Sequence, residues 1–318
     1  MGGIVDFDVR FPVSSIHVED VHAASGVPVA DILEITHTKE FPALGEHELS
    51  WELALQAASA VLRRARVPAT AIRKVIFAGS GEWDRPFWSP AAKVAHELGI
   101  DRAHCFEVTN FCNAGTTALQ VALKGIGPGE HALVLVGDRL SRMVDHADAA
   151  SKDLFNFGDA AAAVLLAADA PWMFRLLHTA MRTDGSWADY YAGRVEEGAV
   201  RIRREARRTG LSAAYVANFT ALLEETLTAI GRTTDDIAYF LINHGDQRMH
   251  RKLLDTIGLP VERSVFNYDR LAHMGGADTF IALRELVDAE RLRAGDLVVL
   301  ATSAMGFSWG ITALEFHG

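Results

Sequence analysis

Cys112 stands between an apolar run and a helix-like run of small and apolar residues, in FEVTNFCNAGTTALQVALKGIGPGEHALVLVGD (106–138). A sulfur at such a handover lies at the positive end of the coming helix, where unpaired N–H groups favour thiolate over thiol. Asn113, Ala114, Gly115, Thr116 and Thr117 follow, small enough to let a second backbone or a thin substrate arm approach. The ordinary fate of a free cysteine is that of a small buried hydrophobe, so Cys112 needs partners to be more than that. The second half of the chain offers them. LINHGDQRMHRKLLDTIG ends an apolar run at His244, DRLAHMGGADTFIALREL sets His273 and Asp278 around a glycine pair at a helix start, and SAMGFSWG places Gly306 in a small-residue turn. Together these supply a nucleophile, a base, orienting groups and a backbone oxyanion donor, the parts of an acyl-transfer site. His244 is the histidine expected to face the thiol. Asp278 either reaches His244 or caps the helix after Gly276, since an Asp just before a helix does either.

Such a site needs elements to hold it. Apolar strand-like runs at 74–80, 131–138, 160–169, 237–245, 296–304 and 311–316 alternate with amphipathic helix-like runs at 49–67, 113–126, 214–231 and 277–292. That alternation predicts an α/β fold, and strands that are apolar without alternation predict a layer covered on both faces. The two halves also echo each other. VIFAGS, a loop, CNAGTTALQVALKGIGPGEHALVLVGD in the first is matched by YFLINHGD, a loop, HMGGADTFIALRELVDAERLRAGDLVVLATS in the second. Counterpart segments lie about 160 residues apart, as expected of a duplicated half-domain. The expected units are 1–169, carrying the cysteine, and 170–318, carrying the histidines, with the join near Ala168–Pro171.

Composition narrows the function classes. With 318 residues, 49% of them apolar, the chain can bury a large core. A formal charge of −10 argues against a general nucleic-acid binder. No apolar run approaches the roughly 20 residues of a membrane span, and MGGIVDFDVRFP lacks the basic and apolar regions of a signal peptide, so a soluble cytoplasmic protein is expected. Cys105 and Cys112, the only two cysteines, are expected as reduced thiols. The most basic stretch, GRVEEGAVRIRREARRTG (193–210), carries Arg201, Arg203, Arg204, Arg207 and Arg208 and reads on charge pattern as a solvated helix face. No metal site is expected.

VTNFCNAG, NFGDAAAAVLL, TDGSW, INHGDQRMHRKLLDTIGLP and MGFSWGITALEF occur in order along the chain. With them the sequence resembles ketoacyl-acyl-carrier-protein synthase III of the thiolase superfamily, over nearly its whole length. The resemblance implies a thiolase fold, two pseudo-duplicated halves in a five-layer αβαβα sandwich. It implies that Cys112 takes an acyl group as a thioester, with its own N–H and that of Gly306 on the oxyanion, and that His244 is the catalytic histidine. It implies a homodimer in which PFWSP (86–90) enters the partner's acyl pocket, with Phe87 and Trp88 as pocket-wall residues, and Asn113 beside the substrate arm.

Departures from the family pattern shape the functional expectation. AHMGGAD stands where the family has GNTSAAS, which puts His273 in the slot of the asparagine that helps decarboxylation, with Asp278 shortly after. FCNAG and HMGGAD together resemble the synthase III-like acyltransferases of natural-product pathways, in which Cys, His and an acidic residue form a triad that passes an acyl group to a hydroxyl, amine or similar acceptor. An acyltransferase is therefore the leading expectation, a decarboxylating condensing enzyme the alternative, and a non-catalytic partner subunit the third. Asp31 and Ile35 occupy the slots of the family's coenzyme A-clamping tryptophan and arginine, which favours a phosphopantetheine thioester on an acidic carrier protein over coenzyme A, with no permanently bound cofactor. The Arg-rich 201–208 segment with Arg248, Arg251 and Lys252 is the expected carrier dock, Arg208 and Arg248 touching the donor. Glu82 or Asp84 as a base lent to a partner subunit ranks low. Trp83, Trp187, Tyr190 and Tyr191 are further candidates to line the pocket.

Overall fold

The computed structural model describes residues 2–169, 171–205 and 208–318. Nine strands form its main sheet: β1 (Gly2–Arg10), β2 (Ile72–Gly79), β3 (His104–Thr109), β4 (His131–Gly137), β5 (Ala161–Ala167), β6 (Phe174–Thr183), β7 (Ile237–Ile242), β8 (Leu297–Ala304) and β9 (Ser308–Phe316). Their spatial order is β7-β8-β9-β6-β1-β5-β4-β2-β3. The helices that cover it include α1 (Ser50–Ala65), α2 (Ala114–Ala122), α3 (Leu211–Ile230), α4 (Gln247–Ile257) and α5 (Asp278–Asp288).

The ladder repeats itself. In one half β2 and β4 run parallel, and β5 and β1 follow antiparallel. In the other, β7 and β8 run parallel, and β9 and β6 follow antiparallel. The halves meet through a short antiparallel pairing of β1 with β6, from Gly2↔Leu176 to Ile4↔Phe174. That join requires glycine: a Cβ on Gly3 would lie 2.3 Å from the carbonyl oxygen of Phe174. Ala170, within the expected join, lies outside the described residues.

Strand alternation sorts the apolar side chains into separate cores. Along β4, Ala132, Val134 and Val136 face one core, and Leu133 and Leu135 face another. Along β8, Val298 and Leu300 join the first core, while Leu297, Val299 and Ala301 belong to a third. The shared core holds Leu119 of α2 and Phe280 and Leu283 of α5; the second holds Ala54, Ala57 and Val61 of α1; the third holds Phe219 of α3 and Leu253 of α4. The layers thus run α1, first-half strands, α2 with α5, second-half strands, α3 with α4. This is a thiolase-type α/β fold. Its two inner helices, α2 and α5, begin at the cysteine and at the His273–Asp278 turn.

Two regions differ from the sequence expectation. β1 reads as mixed because it buries Asp6 and Asp8, whose charge is met by Arg64 of α1, with Nε 2.9 Å from Asp6 Oδ2. Over residues 193–204 the basic stretch is not a helix face but part of a hairpin, Tyr191–Glu196 with Ala199–Arg204. Glu197 (φ 50°) and Gly198 (φ 79°) make its turn, a two-residue loop with both centres at positive φ, and Ile202 alternates with Arg201 and Arg203 to reach a buried cluster. Among the described residues, no helix is long and apolar enough to cross a membrane.

Asp84 has a structural task. Its carboxylate accepts hydrogen bonds from the N–H groups of Ser50 and Trp51 (3.1 and 3.0 Å) and from the Ser50 hydroxyl, so it caps α1 from a distant loop. That use of Asp84 agrees with the low rank given to it as a base lent to a partner subunit. Asp84→Ala is expected to destabilise the fold by about 1–2 kcal/mol, the usual scale of a lost cap, measured as a lower unfolding midpoint with Cys112 still reactive.

Candidate active site

Cys112 is set by a strained handover. After β3 the chain turns through Phe111, at φ 48°, into a 3₁₀ turn, Phe111–Asn113, that runs straight into α2. Polar bonds lock the turn: Asn110 donates to the Thr117 hydroxyl (2.8 Å), which donates to the Asn113 carbonyl (3.0 Å). The buried Asn113 amide reaches into the second half, donating to Ser308 (3.2 Å) and accepting from Thr302.

The second reactive turn docks onto the first through two glycines. A Cβ on Gly276 would lie 3.5 Å from the Cys112 carbonyl oxygen and 3.0 Å from Val136, and one on Gly115 would lie 3.1 Å from Phe280. The small residues after Cys112 therefore serve a backbone-to-backbone approach of the two inner helices. His273 is clamped from the first half by the NFGD stretch: its N–H donates to the Asn156 carbonyl (2.7 Å), and the Gly158 N–H donates to its carbonyl (3.0 Å). Asn156 also donates its amide to the Gly245 carbonyl (2.9 Å), and Phe157 sets its ring edge-on to His273.

These constraints put three reactive groups in line. Cys112 Sγ lies 3.0 Å from His273 Nε2, and His273 Nδ1 lies 2.6 Å from Asp278 Oδ2. All three side chains are buried. The Asp278 carboxylate also accepts the N–H of Met274 (2.8 Å) and of His244 (2.7 Å). Asp278 is the first residue of α5, and these bonds run to other segments. Burial alone disfavours charge on His273, but the negative charges of Cys112 and Asp278 outweigh it and hold the imidazole pKa well above its ordinary value. Burial likewise pushes the Asp278 pKa up, yet His273 pulls it further the other way, leaving it below the usual carboxylate value.

The histidine expected at the thiol is elsewhere. His244 is buried and does not line the cavity at Cys112, whereas its neighbours Asn243 and Gly245 do. Asn243 locks to the main chain of Ser303, accepting its N–H (3.1 Å) and donating to its carbonyl (3.4 Å), so a side chain prolongs the β7–β8 ladder by one rung. His244 is carried behind the cavity wall, its ring 4.8 Å from Tyr268 between centroids and its Nδ1 3.9 Å from Asp278 Oδ1. Burial lowers its pKa. The imidazole the structure brings to the thiol is that of His273.

The cavity has a volume of about 420 Å³ and is walled by both halves, with Cys112, His273, Asn243, Tyr215 and Phe307 around it. Gly306 sits between two lining residues, Met305 and Phe307, in the β8–β9 turn at φ 122°. Of the aromatic candidates, Tyr191 lines the cavity. Trp88 packs against Trp51, Trp83 against Phe77, and Trp187 against Tyr190. Phe87 is fully exposed at φ 50°. Asn113 lies outside the lining, committed to its structural bonds.

The expected carrier dock is also redistributed. Arg201 donates to the carbonyls of Arg142 and Val144; Arg203 engages Glu196, Asp145, Asp148 and Ser151; Arg204 engages Asp153. Arg208 lies over the Trp187 ring and donates to the Ser186 carbonyl, and it does not line the cavity. Arg251 lies over Phe266, and Lys252 donates to Ser212. Arg207 is outside the described residues. Of the dock residues, Arg248 lines the cavity. Asp31, in the slot of a family tryptophan, pairs with Lys152 (2.9 Å), and Ile35 lines the cavity. Among the described residues no group of His, Cys, Asp and Glu is arranged to hold a metal ion. Sequence reasoning missed Asn156, Asn243 and Tyr215; the NFGD motif signalled the first.

Comparison with known proteins gives a consistent picture. Residues 106–185 match the family described as 3-oxoacyl-[acyl-carrier-protein (ACP)] synthase III, and residues 227–316 match its C-terminal family. A β-ketoacyl-[acyl-carrier-protein] synthase III of Rhizorhabdus wittichii is 30% identical over 308 residues, 94% of this chain and 95% of that protein. The synthase III structure from Thermus thermophilus superimposes with a TM-score of 0.86 at 26% identity, covering 99% of each chain. An acyltransferase structure, ChlB3, has a TM-score of 0.83 at 20% identity, covering 99% of this chain and 98% of that one, and shares the fold.

The raised pKa of His273 means that its imidazolium persists through neutral pH and is lost only as pH rises through that raised value. The ring that carries this charge lies 3.0 Å from the sulfur that must attack as an anion. His273→Ala is therefore expected to slow alkylation of Cys112 by iodoacetamide at pH 7 by about tenfold or more, roughly the factor that 1.4 kcal/mol of lost charge pairing gives.

Proposed function

Because this chain belongs to the 3-oxoacyl-[acyl-carrier-protein] synthase III family, we propose that it is a thioester-dependent acyltransferase that passes an acyl group through Cys112 to a hydroxyl, amine or similar acceptor. The observation that carries this is the alignment of Cys112, His273 and Asp278 at 3.0 and 2.6 Å. In the first half-reaction the Cys112 thiolate attacks the carbonyl carbon of a carrier-protein or coenzyme A thioester. The oxyanion is held by backbone N–H groups, those of Cys112 and Gly306 in this reading. As the carbon–sulfur bond to the pantetheine arm breaks, the leaving sulfur takes the proton from His273 Nε2.

In the second half-reaction the acceptor attacks acyl-Cys112 and gives its proton to the now neutral Nε2, the Cys112 sulfur leaves as thiolate, and the imidazolium is restored beside it. Asp278 fixes the ring through Nδ1 so that Nε2 faces the sulfur, the part an orienting carboxylate plays in acyl transfer generally. A carrier protein is the favoured donor, with Arg248 at the cavity as its cationic contact. A homodimer, with the fully exposed Phe87 covered by the partner, belongs to the same proposal.

The names of the relatives favour a second reading, decarboxylating condensation to form a carbon–carbon bond. Against it stands the use of His273, which pairs with Asp278 and the thiol, and the withdrawal of His244 from the cavity wall. The test is to incubate the pure protein with acyl and malonyl thioesters of carrier protein and coenzyme A, with and without alcohol and amine acceptors. The expected result is acyl-Cys112 by intact mass, ester or amide product, and no carbon dioxide; carbon dioxide release with a 3-oxoacyl product would establish condensation instead. Cys112→Ala is expected to abolish labelling and turnover. His273→Ala should slow turnover by roughly 100- to 10,000-fold, the usual contribution of positioned acid–base catalysis.

A further inference from the structure

Tyr215 brings to the catalytic cavity a hydroxyl that neither half-reaction uses. It stands near the start of α3 and lines the cavity together with Cys112, His273, Asn243 and Ser303. Three aromatic neighbours hold its ring: Phe219, Phe307 and Trp309, at centroid distances of 6.0, 5.8 and 5.6 Å. All three contacts are edge-on, and such packing fixes where the hydroxyl sits.

The hydrogen bonds around that hydroxyl leave one proton over. Ser303 Oγ donates to Tyr215 Oη at 3.2 Å; its other acceptor, Asn243 Oδ1, is farther at 3.4 Å and already takes the Ser303 N–H at 3.1 Å. Among the described residues, Ser303 is the one hydrogen-bond partner of Tyr215. A phenol both donates and accepts, so with one lone pair engaged its own O–H still needs a partner. Burial holds the Tyr215 pKa above its ordinary value, more than the Ser303 bond lowers it, and the charge of Cys112 adds to the rise. The proton therefore stays on at neutral pH.

An acceptor has to pass this group. Cys112 and His273 are 7% and 4% exposed, so a molecule that reaches acyl-Cys112 and His273 Nε2 comes along the cavity wall. Ile242, Met249, Met305 and Phe307 make much of that wall apolar. A donor set among them favours an oxygen that meets it and disfavours an alkyl group that leaves it unpaired.

We infer that Tyr215 is a specificity-determining residue whose hydroxyl donates to an oxygen of the acceptor. The acceptor is then a molecule with a second hydroxyl or carbonyl oxygen besides the hydroxyl or amine that attacks, and not a plain alkyl alcohol or amine. The inference rests on the acyltransferase reading and names the acceptor class within it. Tyr215 takes no proton from the reacting atoms; it binds the acceptor away from them.

Matched acceptors test this. Acyl-Cys112, preformed and freed of donor, is offered propanediol, butanediol and hexanediol with terminal hydroxyls, each against the monoalcohol of the same chain length. At least one diol should show a kcat/KM about tenfold above its monoalcohol, the scale of one hydrogen bond in a closed site. Tyr215→Phe keeps the ring and its packing, and should reduce that ratio to the roughly twofold that two equal hydroxyls give by statistics alone. The same contrast is read without turnover as the affinity of Cys112→Ala protein for each diol and monoalcohol, by NMR titration with and without Tyr215→Phe. An unsubstituted protein that transfers to no acceptor would sink the acyltransferase proposal and leave the binding contrast to judge Tyr215. Absence of a diol preference, a preference that survives Tyr215→Phe, or acyl loading that Tyr215→Phe slows as much as transfer would overturn the inference.

Discussion

A carboxylate at 1% exposure can keep its charge only if several donors meet it, and Asp278 has three donors on two separate segments. The His244 N–H comes from the end of β7, the Met274 N–H from the HMGG turn, and the His273 ring from the same turn as it passes the NFGD stretch of the other half. None of these segments is near another in the chain except the turn and α5. The carboxylate therefore ties two segments of the second half together, and the backbone bonds of His273 to Asn156 and Gly158 tie that turn to the first half. The imidazole it orients is the one that meets the thiol.

The fold is built to bring these pieces to one point. Duplicate ladders set α2 and α5 side by side in the shared core, both starting at the same end of the layer. Glycine at 115 and 276 lets the two helix starts touch through their backbones, which no larger residue would allow without displacing Val136 or Phe280. The cavity then opens where both halves contribute walls, as ligand sites between packed units commonly do.

Much of this could be read in the sequence because it rests on periodicity and on local composition. Continuous apolar runs located β2, β4, β5, β7 and β8 to within a few residues, and small residues after Cys112 marked the start of α2. β1 escaped because Asp6 and Asp8 interrupt it, and their neutralisation by Arg64 is a long-range fact. The hairpin at 191–204 was hidden by its arginines, although the Glu197–Gly198 turn and the buried Ile202 carried a period of two. Cys112, His273 and Asp278 were all recognisable as chemistry-bearing residues. Which histidine meets the thiol was not, because it depends on whether the chain after Ile242 carries His244 into the cavity or behind it. Asn243 decides that by bonding sideways to Ser303, an interaction with a partner 60 residues away. The arginines of 201–204 looked like a free basic patch for the same reason: their acidic and carbonyl partners come from loops distant in sequence.

The central claim is that the ring paired with Cys112 belongs to His273. Histidine nitrogen NMR at pH 7 on ¹⁵N-labelled protein, before and after alkylation of Cys112, tests it directly. One buried ring should give an imidazolium signal that turns neutral once the sulfur is capped, and this signal should vanish in His273→Asn and persist in His244→Asn. If the ring that responds to capping is instead the one lost in His244→Asn, the account of the site is wrong.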